Sequence, residues 1–213
     1  MIRIVLADDH TIVREGLKQL LCAAAEFQVV GEARDGHEVM KQVRENDFDV
    51  LLLDMSMPGK SGTDLIRQVK SEKPKLRVLI LSMHEEEQYA VRAIKAGASG
   101  YLTKESASAQ LVSAIRKVAG GGAFISAAVA EQLALGAMPQ AEGTPHSSLS
   151  DREFQVLCML ANGKSVTDIG EELNLSVKTV STHKARLMQK MNMASQADLI
   201  RYAITHRLVE APE

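Results

Sequence analysis

Ile2-Arg3-Ile4-Val5-Leu6-Ala7-Asp8-Asp9 opens the chain with a short, branched apolar run that ends on two adjacent carboxylates. A run this short, without alternation and rich in β-branched residues, has the pattern of a strand buried on both faces of a parallel sheet. The pattern returns at residues 29–33, 50–53, 78–81 and 100–102, each time bounded by polar residues or glycine. Between these runs the period changes to that of a helix. Val13, Leu17, Leu20 and Leu21 share one face, as do Val39 and Val43, and Leu65, Ile66 and Val69. Val91, Ala93 and Ile94, then Leu111, Val112, Ile115 and Val118, continue the series. Strands alternating with helices in this way predict a doubly wound α/β unit with a parallel sheet.

The rest of the chain is organised differently. A short helix is expected at residues 127–135, followed by a Gly-, Pro- and Ser-containing linker over residues 136–148. Beyond Leu149 every signal is helical. Ser150-Asp151-Arg152-Glu153 is a capping box before Val156, Leu157 and Leu160. Ser165 and Asp168 open a second helix, Asn174-Leu175-Ser176 a turn, residues 177–191 a third helix, and Ser195 a fourth.

Bulk properties exclude several classes. With 213 residues, 46% hydrophobic and 24% charged, the chain is neither disordered nor too short for a core. Two carboxylates at residues 8 and 9 arrive too early for a secretory signal, and no apolar run approaches the ~18 residues of a membrane span. A cytoplasmic protein without membrane contact is expected. Cys22 and Cys158, far apart on apolar helical faces, read as small buried hydrophobes in a reducing compartment. The formal net charge of −2 gives no global attraction to nucleic acid.

The acids carry the first functional signal. Asp8 and Asp9 follow the first strand and Asp54 ends the third. If the strand order is 2-1-3-4-5, these strands are neighbours at the switch point where ligands bind. Three converging carboxylates raise a pKa or recruit a cation, and oxygen-only donors favour a hard ion such as Mg²⁺. Ser82 after the fourth strand and Lys104 after the fifth would complete a phosphoryl-binding pocket around Asp54. Any one acid after a strand is commonly a helix cap. The coincidence of five suitable residues, each at a strand's C-terminal end, outweighs that reading.

Ala7-Asp8-Asp9-His10, Leu53-Asp54-Met55-Ser56-Met57-Pro58-Gly59, Leu81-Ser82-Met83 and Gly100-Tyr101-Leu102-Thr103-Lys104 resemble the receiver domains of two-component response regulators. The resemblance implies a flavodoxin-like (βα)5 receiver over residues 1–122. Asp54 would accept a phosphoryl group from a sensor histidine kinase. Asp9, Asp54, the backbone carbonyl of Ser56 and Asp8 would hold Mg²⁺ or Mn²⁺. Ser82 and Lys104 would contact the phosphoryl oxygens, and Tyr101 matches the switch aromatic. Met83, where a smaller residue is common, implies a more crowded pocket. Glu105 replaces a frequent proline, so no cis peptide is expected there. Ser56 and His84 stand where receivers control access of the hydrolytic water.

In the helical half, Gly170 is expected where two helices cross closely. On the third helix Val180, Leu187 and Met191 face inward with His183 beside them. Lys178, Ser181, Thr182, Ala185 and Gln189 face outward, flanked by Lys184 and Arg186. Leu149 to Glu153, Leu160-Ala161-Asn162-Gly163 and Lys178-Thr179-Val180-Ser181-Thr182-His183 are similar to the LuxR-type output domain, so the whole chain resembles the NarL/FixJ family. The resemblance implies a four-helix, helix-turn-helix DNA-binding domain over residues 149–213, joined to the receiver by a short helix and flexible linker at residues 123–148. DNA contacts would come from Lys178, Ser181, Thr182, Lys184, Ala185 and Arg186. Ser181 replaces a common lysine, which favours hydrogen-bond or methyl readout there, with Lys178, Lys184 and Arg186 on phosphates or guanines. Double-stranded promoter DNA, RNA polymerase and a second copy of the chain on phosphorylation are the implied partners.

Two other classes compete. An aspartate-nucleophile phosphatase generally carries a second Asp two residues on, where this chain has Ser56. A signalling adaptor binding protein or RNA would not need a basic helix after a turn. Splitting the charge sharpens the choice: 17 basic and 19 acidic residues precede residue 147, with 8 of each after it. The near-zero sum adds an acidic pocket to a basic helix.

Overall fold

The computed structural model describes residues 1–57, 62–83, 87–136, 144–173, 175–206 and 208–209. The expectations for Pro58, Gly59, His84, Asn174 and residues 137–143 of the linker lie outside the described residues. The chain divides into two compact units, Met1–Met138 and Pro139–Glu213.

In the first unit β1 (Ile2–Ala7), β2 (Phe27–Ala33), β3 (Val50–Asp54), β4 (Arg77–Ser82) and β5 (Gly100–Thr103) form a parallel sheet in the order β2-β1-β3-β4-β5. The helices α1 (Thr11–Cys22), α2 (Gly36–Glu45), α3 (Gly62–Glu72), α4 (Glu87–Lys95) and α5 (Lys104–Ala119) alternate with them. Successive strand residues face opposite sides. Ile4, Leu6, Val50, Leu52, Leu79 and Leu81 therefore pack with Leu17 and Leu21 of α1 and Leu111, Ile115 and Val118 of α5. Val5, Leu51, Leu53, Val78 and Ile80 are equally buried on the other face. That both faces are covered explains the unbroken apolar runs.

After α5 the chain returns to the sheet. Phe124 bridges Gly100 in parallel, and its carbonyl accepts from the Tyr101 N–H at 2.9 Å. The helix α6 (Ala127–Gly136) then packs on α4, with Gln132 donating to Glu87 at 2.6 Å.

The structure corrects three expectations. Leu20 is 41% exposed, and its place on the buried face of α1 goes to Arg14. At 100° per residue, Arg14, Leu17 and Leu21 span about 60° of arc, and Leu20 falls to one side. Cys22 ends the same helix and is exposed, while Cys158 is buried as expected. Met83 is 66% exposed, so its side chain does not crowd the pocket.

The second unit holds α7 (Asp151–Ala161), α8 (Val166–Glu172), α9 (Val177–Lys190) and α10 (Gln196–Thr205). Ser150 with Glu153 and Ser165 with Asp168 form reciprocal capping boxes, and Ser176 and Ser195 cap the last two helices. Phe154, Leu157, Ile169, Val180, Leu187 and Leu199 form its core. The end of the expected linker is ordered against this core. Pro145–Ser148 forms a 3₁₀ turn, and His146 Nδ1 lies 2.8 Å from the Tyr202 hydroxyl. Among the described residues no helix is long and apolar enough to cross a membrane.

Candidate functional site

Register brings the acids together. Ala7 pairs with Leu53, so the next residues, Asp8 and Asp54, leave adjacent strands side by side. Asp54 pairs with Leu81 and Ser82 with Thr103, which sets Ser82 and Lys104 at the same edge. Thr103 caps α5, and its side chain accepts from the Ser106 N–H, so Lys104 starts a helix whose position is fixed.

Asp8, Asp54 and Ser82 are buried. Lys104 Nζ donates to Asp54 Oδ2 at 3.0 Å and pairs with Asp8 Oδ2 at 2.7 Å. The Ser56 N–H donates to Asp54 Oδ1 at 3.1 Å. Burial pushes the Asp54 carboxyl above its ordinary range, with Lys104 opposing and Asp8 adding to the rise. Burial alone would lower the Lys104 pKa, but Asp54 and Asp8 outweigh it and hold the ammonium above its usual value. The Lys104 ammonium thus pairs with two carboxylates, and Asp9 adds a third beside them, so carboxylates outnumber the ammonium in the pocket.

That excess suits a cation. Donor atoms of Asp8, Asp9, His10 and Asp54 all lie within 4.8 Å of one another. An octahedral ion with bonds of about 2.1 Å spreads its donors over at most about 4.2 Å, so small side-chain adjustments suffice. Asp9 is partly exposed, which leaves room for the waters such an ion retains. Tyr101 is buried in β5 and lines a cavity of about 240 Å³ with Ser106, Gln110, Phe124 and Val129.

The second unit presents a different surface. Gly170 packs against the turn before α9, where a Cβ would stand 2.9 Å from the Leu175 carbonyl oxygen. Val180, Leu187 and Met191 are buried, and Lys178, Ser181, Thr182, Ala185 and Arg186 lie on the outward arc. Lys184 is half-buried and donates to Gln196 Oε1 at 2.6 Å. The Thr182 hydroxyl donates to the Lys178 carbonyl of its own helix at 2.9 Å. Lys190 is exposed but pairs with Glu153 Oε2 at 2.6 Å, and Lys178 and Arg186 are the exposed cations of the outward arc. His183 is half-buried, with Nδ1 lacking a hydrogen-bond partner among the described residues.

Residues 4–116 match the response regulator receiver domain, and residues 147–203 match the bacterial regulatory proteins of the luxR family. The chain belongs to the NarL/FixJ response regulators. It is 39% identical to the response regulator UvrY of Escherichia coli (strain K12) over 212 residues, which covers 99% of this chain and 97% of that one. Identity to the response regulator GacA of Pseudomonas aeruginosa is 38% over 212 residues, 99% of each chain. Among solved structures, RcsB from Salmonella enterica serovar Typhimurium, bound to promoter rprA with phosphomimetic BeF3-, aligns with a TM-score of 0.57 at 28% identity. That alignment covers 97% of this chain and 100% of RcsB.

Two residues of this response regulator's pocket escaped the sequence reading. His10 Nδ1 lies 3.2 Å from Asp8 Oδ1 and 3.0 Å from Asp9 Oδ1. Arg14, 2% exposed, donates to the Asp8 backbone carbonyl at 2.7 Å. The available signal for Arg14 was its place three residues before Leu17, on the face that α1 turns to the sheet.

Proposed function

We propose that this response regulator takes a phosphoryl group onto Asp54 from the phosphohistidine of a sensor kinase, and that the charge so added controls binding of α9 to promoter DNA in the cytoplasm. The observation that carries this is the buried Asp54 carboxylate, with Lys104 at 3.0 Å and two further carboxylates alongside. An Asp54 oxygen attacks phosphorus, the P–N bond breaks, and the imidazole nitrogen keeps its electron pair. Lys104 loses a carboxylate partner and gains a phosphoryl oxygen, while the Ser82 hydroxyl donates to another. Asp8, Asp9, Asp54 and the Ser56 carbonyl would hold Mg²⁺ or Mn²⁺. When bound, that ion neutralises charge on the phosphoryl oxygens. Water attacking phosphorus then slowly releases inorganic phosphate and returns the carboxylate, so the phosphoryl group is held on the chain's own Asp54 and not passed to a second substrate.

The tighter Lys104–phosphoryl pairing and the shift of Ser82 favour the inward position of Tyr101 in the receiver. On the output side, Ser176 caps α9 behind an exposed arc that carries Lys178 and Arg186, with Lys184 half-buried at its flank, which suits phosphate and base-edge contacts in a major groove. RcsB bound to a promoter with a phosphomimetic supports this reading. A dimer on two half-sites, acting on RNA polymerase, completes it. Intact-mass spectrometry with acetyl phosphate and Mg²⁺ tests the first step: the wild type gains one phosphoryl group and Asp54→Asn gains none. Equal labelling of both would refute Asp54 as acceptor.

A further inference from the structure

Arg14 is the most deeply buried cation among the described residues, and phosphoryl transfer to Asp54 does not use it. A guanidinium held out of water is tolerated only when its donors are paired. Each nitrogen of Arg14 has an oxygen partner. Nε donates to Glu32 Oε2 at 3.0 Å, Nη1 to the Asp8 backbone carbonyl at 2.7 Å, and Nη2 to Thr11 Oγ1 at 3.4 Å. Glu32 is shared with Lys18, whose Nζ lies 2.8 Å from Oε1, and these cations hold its carboxyl below the usual range.

The carbonyl that Arg14 holds belongs to the peptide joining Asp8 to Asp9. The Asp8 N–H is committed on the other side, donating to the Ala33 carbonyl at 3.1 Å. Pinned at both ends, this stretch has one orientation, and the direction in which the Asp9 side chain leaves the backbone follows from it. The guanidinium meets the backbone oxygen rather than either carboxylate. Asp8 Oδ1 therefore stays with the His10 N–H at 2.8 Å, and Asp8 Oδ2 with Lys104.

We infer that Arg14 is a positioning residue for the divalent cation and phosphoryl pocket, clamping the Asp8–Asp9 peptide with Glu32 of β2 as its anchor. This rests on the proposal that Asp8, Asp9 and Asp54 hold such an ion. Lysine keeps the charge but lacks the fork that reaches a carbonyl and a carboxylate together. Groups that orient metal ligands are typically worth 10–100-fold in metal affinity or activity.

The test is Mg²⁺ titration of the full-length chain by calorimetry, paired with initial rates of acetyl-phosphate labelling across Mg²⁺ concentrations. Arg14→Lys and Arg14→Met raise the Mg²⁺ dissociation constant about tenfold or more. The Mg²⁺ concentration that gives half-maximal labelling rises in step with the dissociation constant, and added Mg²⁺ recovers labelling at least in part, a dependence that general loss of structure would not give. Glu32→Gln, which frees the far end of the clamp, gives a smaller change in the same direction. Circular dichroism identifies any variant that fails to fold, and the comparison is then made among those that do, Glu32→Gln included. Wild-type Mg²⁺ affinity in the folded variants overturns the clamp alone. A wild-type chain that binds no Mg²⁺ overturns both the clamp and the ion site beneath it.

Discussion

Glu153 performs two tasks with one carboxylate. It closes the capping box of α7 by accepting from the Ser150 N–H at 2.9 Å, and it receives Lys190 from α9 at 2.6 Å. Burial would raise its pKa, but these partners outweigh burial and hold it below the ordinary 4.5. The stabilisation it contributes is therefore complete above about pH 4.5 and lost as pH falls through the lower folded value. Urea unfolding of wild type and Glu153→Gln should differ at pH 7, with the gap closing as the medium is acidified below pH 4.5. A gap independent of pH would mean the ion pair contributes nothing. Residue-scale detail of this kind was only half legible. The Ser150–Glu153 spacing announces the box, whereas the pairing of Glu153 with Lys190 shows only once the path of α9 is known. Arg14 failed to show for the opposite reason. A charged side chain is assigned to solvent by default, and only a complete set of partners reverses that.

The helices show where periodicity carries and where it stops. The α8–turn–α9 unit depends on close approach at Gly170, and the structure leaves no space there: an added Cβ meets a backbone oxygen at 2.9 Å. Backbone cannot swing aside as a flexible side chain can. Gly170→Ala should cost about 1–3 kcal/mol in chemical denaturation of the output unit. It should also lower DNA affinity through displacement of α9; a variant of unchanged stability would show that the helices part easily. This glycine was legible in the sequence, as the strands were, because a residue without a side chain inside a capped helix, shortly before a turn, marks a point of close approach. The buried stripe of α1 was placed too far toward Leu20. Val13, Leu17, Leu20 and Leu21 make a continuous apolar arc, and only docking on the sheet shows that its centre lies nearer Arg14. The 3₁₀ turn at Pro145–Ser148 was hidden similarly, since Pro and Ser mark a linker until His146 meets Tyr202.

At the scale of the whole molecule, the near-neutral charge is a sum of opposites. An acidic pocket sits at the carboxyl edge of the sheet, and a helix with Lys178 and Arg186 exposed and Lys184 half-buried beside them belongs to the second unit. The acids of the pocket, Ser82 and Lys104 were legible because each lies at the end of a strand, and parallel strands of a doubly wound sheet end together. The output surface was legible more coarsely. Helical spacing separates the inward Val180 and Leu187 from the outward arc, but it does not show that Lys190 is committed to Glu153 or that Thr182 donates to its own helix. The central claim joins the two sites: a phosphoryl group on Asp54 changes how α9 meets DNA. The most direct measurement is promoter-fragment affinity, at one fixed salt concentration, with and without acetyl phosphate and Mg²⁺, for wild type and Asp54→Asn. The account predicts that the phosphodonor tightens wild-type binding about tenfold or more, the scale of a 1.4 kcal/mol coupling, and leaves Asp54→Asn unchanged. An equal gain in Asp54→Asn would contradict it.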